Sequence, residues 1–264
     1  MLKKRLIPKL LISHRQLGPV SRPVLVTTRR YEEMIDVGDA VSQAKIYEAQ
    51  LADELIVLNI DRTPIANDPV VLGLIERLAS ETFMPLAVGG GVSCADDFGV
   101  LLERGADKVS INTSALHSPQ IISEAASRYG GQCVVVSIDY KASGPDNVTS
   151  VWSNRAKEPT RWHLVEWAIE AARLGAGELH IVNADRDGEG SGLDIANAKA
   201  VTDAVDIPVI VSGGCGLSSH FSDGFLKAGA EGVAAGTFFA LRDQNPIQTR
   251  AHIRNAGVRI RAGT

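Results

Sequence analysis

Eight short runs rich in Val, Ile and Leu recur along the chain: RLIPKLL, ELIVLNI, PLAVGG, KVSIN, VVVSID, ELHIVNA, PVIVSG and GVAAG. Their nearly continuous apolar character is that of strands buried on both faces of a parallel sheet. Between most of them lie stretches of helical period, such as Val70–Ala79 and Leu164–Leu174. The alternation predicts an α/β protein whose eight strand–helix units close into a single (β/α)8 barrel of the TIM type, with the open doubly wound sheet as the rival. The first strand is read as Arg5–Leu11, followed by a long loop.

A repeat favours closure. Val57-Leu-Asn-Ile-Asp-Arg-Thr63 matches Ile181-Val-Asn-Ala-Asp-Arg-Asp187, Val88-Gly-Gly-Gly91 matches Ser212-Gly-Gly-Cys215, and Leu102–Asp107 matches Leu226–Glu231. Asn59 thus pairs with Asn183, Asp61 with Asp185, Gly89 with Gly213 and Gly105 with Gly229, all in one register of 124 residues. Three separate segments in one register predict a tandem duplication, with half-barrels at roughly 1–124 and 125–245. No linker or low-complexity segment divides them, so residues 1–264 are expected to form one domain.

Composition narrows the function classes. The chain has 45% hydrophobic and 22% charged residues and a net charge of −4, which suits a globular protein and argues against nucleic acid as a partner. No apolar run reaches the ~18 residues of a membrane span. The basic start MLKKRLIPKLLISHR has no small-residue cleavage site and is interrupted by Pro8 and Lys9, so it is not read as a signal peptide. Cys94, Cys133 and Cys215 show no metal spacing, and their odd number fits a reduced cytoplasmic setting. No dinucleotide fingerprint follows the first strand; neither metal nor organic cofactor is expected.

Chemistry in such barrels sits at the C-terminal strand ends. There the sequence places Gly89-Gly90-Gly91 after the third strand, Ser110–Thr113 after the fourth, Gly213-Gly214 after the seventh and Ala235-Gly236-Thr237 after the eighth. Glycine allows close backbone approach, and N–H groups at a helix start attract anions. Two related pairs of loops therefore predict two phosphate sites facing each other across the mouth.

The segments VGGGV, RGADKVSINT, VVVSID, DRDGEGSG and VSGGCG, in this order, resemble the cyclase subunit of imidazole glycerol phosphate synthase over nearly the whole chain, to about Phe239. The resemblance implies a histidine-pathway enzyme that receives ammonia from a glutaminase docked on the bottom of the barrel. It also implies a substrate with a phosphate at each end. The family's phosphate residues fall on Gly91, Asn112, Thr113, Asp187, Gly188, Gly214 and Gly236, with Gly90, Gly213 and Ala235 beside them. Its ring of four charged gate residues falls on Arg5, Glu54, Lys108 and Glu178, each at a strand start, and a residue facing the glutaminase falls on Asp107.

The chain also departs from that family. Its cyclases use two aspartates as general acid and base, ending the first and fifth strands. Asp139 keeps one position, while Leu11 occupies the other and can move no proton. Loss of one such partner typically costs about 10²- to 10⁴-fold in rate. Asn59 replaces a further aspartate, and the loop after the first strand is longer than the family's and lacks its lysine. That loop holds His14-Arg-Gln-Leu-Gly-Pro-Val-Ser-Arg-Pro23 and Arg29-Arg30. His14 is read there as an exposed loop histidine, with replacement acid/base work as the other possibility.

A preserved gate with damaged cyclase chemistry resembles the cyclase-like paralogues associated with amidation of surface-polysaccharide sugars. In these, the barrel and its glutaminase supply a separate amidotransferase. The alternatives are a working cyclase, a barrel that binds a phosphorylated metabolite without conducting ammonia, and the related histidine-pathway isomerase, which Leu11 disfavours too. Trp152, Trp162 and Trp167 are read as packing residues. His180 is read as a satisfied core or helix-facing histidine.

Overall fold

The computed structural model describes residues 3–17, 19–61, 63–143, 148–153, 157–242 and 244–261. Met1 and Leu2 of the basic start, Gly18 after His14, and Arg62 of the repeat lie outside the described residues. Among the described residues there are twelve strands: β1 (Arg5–Leu17), β2 (Val20–Arg29), β3 (Glu33–Gly38), β4 (Leu55–Asn59), β5 (Leu86–Gly89), β6 (Lys108–Ile111), β7 (Val134–Ser143), β8 (Val148–Ser153), β9 (Glu158–His163), β10 (Glu178–Asn183), β11 (Val209–Ser212) and β12 (Gly232–Ala235). Eight of them pair in parallel in the cyclic order β1-β4-β5-β6-β7-β10-β11-β12 and back to β1. The barrel is closed, and it rules out the doubly wound sheet.

Helices α1 (Ala40–Ala49), α2 (Pro69–Glu81), α3 (Ala95–Glu103), α4 (Thr113–His117), α5 (Gln120–Tyr129), α6 (Leu164–Arg173), α7 (Ile195–Ala204), α8 (Ser218–Leu226), α9 (Thr237–Leu241) and α10 (Pro246–Asn255) surround it. Their starts are written locally. Asp68 accepts hydrogen bonds from the Val70 and Val71 amides ahead of α2, where Pro69 sits in the first turn and needs no partner for an amide it lacks. Asp39 and Asn245 cap α1 and α10 in the same way.

The strand pleat sorts side chains into two cores. On β1, Leu6, Leu10 and Ile12 join the large core beneath the helices, while Arg5, Ile7, Lys9 and Leu11 point into the bore. Ile7, Ile56, Ala87, Ile210 and Ala234 form a separate apolar cluster there. Outside the bore, α10 is fastened to the floor by Arg250, whose guanidinium lies 2.7 Å from Asp53; Asp53 also accepts the Leu6 amide at 2.8 Å. Of the tryptophans, Trp167 is fully buried in α6 with Trp162 against it, and Trp152 on β8 carries the Lys141 ammonium 4.5 Å above its ring.

The segment expected as a loop after Leu11 is instead strand. β1 pairs with β4 only as far as Ile12↔Asn59. Beyond the rim its backbone needs new partners, and it finds them in β2, with Leu11↔Val26 through Leu17↔Val20 antiparallel. β3 adds a third strand. The product is a flap standing on the barrel mouth. A smaller hairpin of β8 and β9 extends β7 likewise.

The residues of the 124-residue register also occupy matching places, with one adjustment. Asn59 and Asn183 both end strands, and Asp107 and Glu231 both accept an amide at the start of the preceding strand, from Leu86 at 2.8 Å and Val209 at 3.1 Å. The glycines, however, are one residue out of step. Gly90 lies against the Asn59 carbonyl and Gly213 against that of Asn183, so Gly90 rather than Gly89 is the counterpart of Gly213. A Cβ on Gly90 would sit 1.8 Å from the Asn59 oxygen, on a residue whose φ is +92°. Gly90→Ala is therefore expected to destabilise the fold by at least about 2 kcal/mol, measured by urea denaturation. Gly73→Ala, where nothing lies within 4 Å, should be neutral or stabilising.

Candidate functional site

At the floor, the first residues of β1, β6 and β10 and the residue before β4 put four charges into one layer. Arg5 bonds Glu54 at 2.5 Å and also Glu178; Lys108 bonds Glu54 at 2.9 Å and Glu178 at 2.8 Å. The ring is closed, with alternating sign. The carboxylate side chains are 2% and 5% exposed, those of Arg5 and Lys108 13% and 20%, so the cations face the outside and the acids lie within. Burial alone would weaken the Arg5 charge, but Glu54 and Glu178 more than offset it and hold its pKa above the ordinary value. Asp107, next to Lys108, is exposed on this face. Phe83, in the connection from α2 to β5 on the same side, is 92% exposed.

At the mouth, Asp139 stands near the top of β7's barrel segment, 6% exposed. Asn112 donates to one of its oxygens at 2.8 Å, and the Tyr31 hydroxyl donates to the other at 3.0 Å. Tyr31 belongs to the turn between β2 and β3, with φ of +62° after Arg30 at +53°; two successive non-glycine residues there mark a conformation held by its contacts. Burial pushes the Asp139 carboxyl up to about 6, although Tyr31, Lys9 and Asn112 pull the other way. That value suits a group exchanging protons near neutrality. Burial, and then the charges of Asp139 and Asp187, push the Tyr31 phenol well above its usual range.

Leu11, expected at the position of a second aspartate, faces the bore and is 6% exposed. One pleat below it, the Lys9 ammonium lies 3.3 Å from Asp187, with side chains 4% and 9% exposed. Asp187 also receives the Thr28 hydroxyl at 2.8 Å. A cleft here is lined by Lys9, Asp187, Gly188, Ser212, Gly213, Gly214, Ala235, Gly236 and Thr237, which brings together the expected phosphate residues of the second half. The flap covers it. Thr27 and Thr237 share a 2.5 Å hydroxyl contact, and Gly188 is pressed so closely under Thr28 and Arg29 that a Cβ would come 2.4 Å from the Thr28 carbonyl. In the first half, Gly90, Gly91, Asn112 and Thr113 stand at the ends of β5 and β6, with Asn112 turned to Asp139.

Two expectations need correcting. His14 is no exposed loop residue. It lies on β1 with its Nδ1 2.8 Å from Asp61 and Nε2 3.3 Å from Asp68, at 22% side-chain exposure, because the flap's base packs on the loop after β4. His180 is 1% exposed, but it is neither satisfied nor directed at a helix. It shares the inward face of Glu178, and among the described residues neither ring nitrogen has a hydrogen-bond partner. The sequence reading missed Lys9, Thr28 and Tyr31. Lys9 was legible, since a lysine two residues before Leu11 on a buried strand must face the bore. Tyr31 had no local signal.

Fold and site together define a (β/α)8 barrel with a paired charge ring across its floor and a glycine-lined, aspartate-bearing mouth. The profile of the family described as "Histidine biosynthesis protein" matches residues 20–244. The chain is 47% identical over 261 residues, 99% of each chain, to a Prochlorococcus marinus (strain MIT 9313) protein provisionally named imidazole glycerol phosphate synthase subunit hisF2. It is 38% identical over 261 residues, 99% of this chain and 100% of the other, to imidazole glycerol phosphate synthase subunit HisF of Anoxybacillus flavithermus (strain DSM 21510 / WK1). The chain belongs to this histidine biosynthesis protein family, among its HisF-like imidazole glycerol phosphate synthase subunits.

The raised Asp139 pKa links stability to pH. Because the folded carboxyl holds its proton up to about 6 against an ordinary 3.8, its stabilising contribution is complete below the lower value and is lost as pH rises through the upper one. Stability should fall by on the order of 2–3 kcal/mol across that window. Asp139→Asn should remove the decline in pH-dependent urea denaturation. Tyr31→Phe, deleting a bond that favours the ionised form, should move the Asp139 titration upward when followed by carboxyl ¹³C NMR.

Proposed function

We propose that this chain is the barrel half of a glutamine-dependent ammonia-transfer system. A glutaminase subunit docks on the floor, ammonia enters through the Arg5–Glu54–Lys108–Glu178 ring, and the mouth holds a phosphorylated ligand. The ring is the observation that carries the reading. Two buried acids held by two half-buried bases, in a layer that apolar side chains could fill, are a poor choice for stability alone, and they lie where the bore meets the bottom surface. Asp107 and Phe83 on that face suit a partner, as an apolar side chain beside a polar rim does in many interfaces. The glycine-rich strand ends suit phosphate groups. The duplicated half-barrels and the single domain of 1–264 belong to the same proposal.

Leu11 directs the reading away from cyclisation. Ring closure needs one group to give a proton while another takes it, and an aliphatic side chain does neither. We place the chain with the paralogues that deliver ammonia to a separate amidotransferase acting on a surface-polysaccharide sugar. One observation favours a second reading, an active cyclase: the Tyr31 phenol on Asp139 is a proton-bearing group brought to the mouth by the flap.

Purified protein supplied with ammonium salt and the cyclase substrate separates the two. Imidazole glycerol phosphate formation is expected at least about 10²-fold below that of the Anoxybacillus relative, and a histidine auxotroph lacking its cyclase should not be rescued. Parity in rate would establish the cyclase. In the complex with its glutaminase, Lys108→Met should reduce glutamine-dependent transfer while leaving transfer from added ammonia intact. Equal loss of both would remove the ring from the ammonia path.

A further inference from the structure

Among the described residues the bore contains a titratable group that neither floor nor mouth uses. His180 stands on β10 one pleat above Glu178, and both of its ring nitrogens lack partners among the described residues. The Ser212 hydroxyl, on the inward face of β11 and 1% exposed, lacks one as well. A neutral imidazole carries one donor and one acceptor, and leaving both unpaired in an apolar surround is costly. On one side the surround is apolar: Ile210 is the register partner of His180 on β11, and it belongs to the bore's aliphatic cluster. Ser137 is the register partner on β7.

Charge fixes what can sit there. The charge acting on the ring is the Lys9 ammonium on β1; Glu178, one pleat below on the same strand, is bonded to Arg5 and Lys108, and Asp139 on β7 is bonded to Asn112 and Tyr31. Burial and then the Lys9 charge pull the His180 pKa down to about 3, so the ring is neutral at every working pH. The two nitrogens open on opposite edges of the ring, so a guest that passes both must accept at one and donate at the other; it must also be small enough for a packed bore and uncharged, because a cation would meet Lys9. Ammonium can only donate. Ammonia does both.

We propose that His180 is a binding station for ammonia inside the barrel, between the charge ring and the mouth, and that Lys9 makes the station reject ammonium and metal cations. At one edge of the ring the imidazole offers its N–H to an ammonia nitrogen and at the other edge its bare nitrogen accepts an ammonia hydrogen, so ammonia is held first at one edge and then at the other, while Ser212 lies along the way to the cleft above. The identity of the guest rests on the conduit reading; the existence of a site for a small neutral polar molecule rests on the orphaned nitrogens alone.

The test uses the unsubstituted, full-length protein labelled with ¹⁵N-histidine, its His180 signals assigned by their loss in His180→Gln. Ammonium chloride is titrated at about pH 7 and about pH 9, with potassium chloride as the ionic control. The His180 ring signals should move saturably, the two curves should coincide when plotted against free ammonia, and far less total salt should be needed at the higher pH. Potassium chloride should do nothing. Signals that stay still, that follow total ammonium, or that respond equally to potassium would overturn the station; a still signal with a slowly exchanging water bound would assign it to water. Movement with free ammonia while Lys108→Met leaves glutamine-dependent transfer unchanged would support the station and sink the conduit. The converse pair of results would sink the station alone.

Discussion

Four charged side chains meet across the floor of the bore, and none can be withdrawn without stranding its neighbours. Each acid holds both cations and each cation both acids, so the layer is satisfied only as a whole. Removing one partner from such a set commonly costs more than replacing the entire set by aliphatic residues would. The ring therefore constrains the barrel more than it strengthens it. It fixes the register at which β1, β4, β6 and β10 begin, because a slip of one residue on any strand would turn its charge into the helical layer. Everything above follows from that register: Ile7 and Ile56 in the next layer, Lys9 and His180 beyond, then Leu11 and Asp139 at the mouth.

Register also explains how much of this was legible in the sequence. The eight barrel strands stood out as apolar runs because parallel strands covered on both faces leave little room for polar residues. The second-half residues singled out by motif, Asp187, Gly188, Gly213, Gly214, Ala235 and Gly236, line one cleft. The flap was missed because its strands rise beyond the rim, where one face meets water and the apolar run breaks into mixed residues such as Ser13-His14-Arg15. A signal was available in Gly18-Pro19 followed by the β-branched stretch Val24–Thr28, which reads as a turn and a returning strand.

Side-chain partnerships were far less legible than strands. His180 could be assigned to the bore from its spacing to Glu178. Whether it was satisfied depended on Ile210 and Ser137, which come from other strands. Tyr31 reaches Asp139 across 108 residues, through a turn whose two left-handed residues carry no glycine to announce it. The one-residue offset of Gly90 and Gly213 was hidden for a similar reason. Aligned letters pair Gly89 with Gly213, whereas the contacts with the Asn59 and Asn183 carbonyls decide the structural equivalence.

The exchange of charge along β1 ties the floor to the mouth. A carboxylate at position 11 would have stood in the mouth among Asp139 and Asp187, three acids in one small volume. Instead position 11 is aliphatic, and a cation sits one pleat lower, bonded to Asp187. This arrangement neutralises the aspartate that lines the cleft, so an anion entering beside Gly214 and Gly236 meets less repulsion than it would over an unpaired carboxylate. It also sets a positive charge within reach of His180 and Asp139, adding to the burial that keeps the first neutral and easing the ionisation of the second. In the proposed conduit, one lysine would thus serve both an anion held above it and a neutral molecule passing below it. A cyclase needs a second proton carrier at this height; a barrel that passes ammonia onward needs the bore kept neutral and the mouth able to hold its phosphorylated ligand, and Leu11 over Lys9 suits the second requirement.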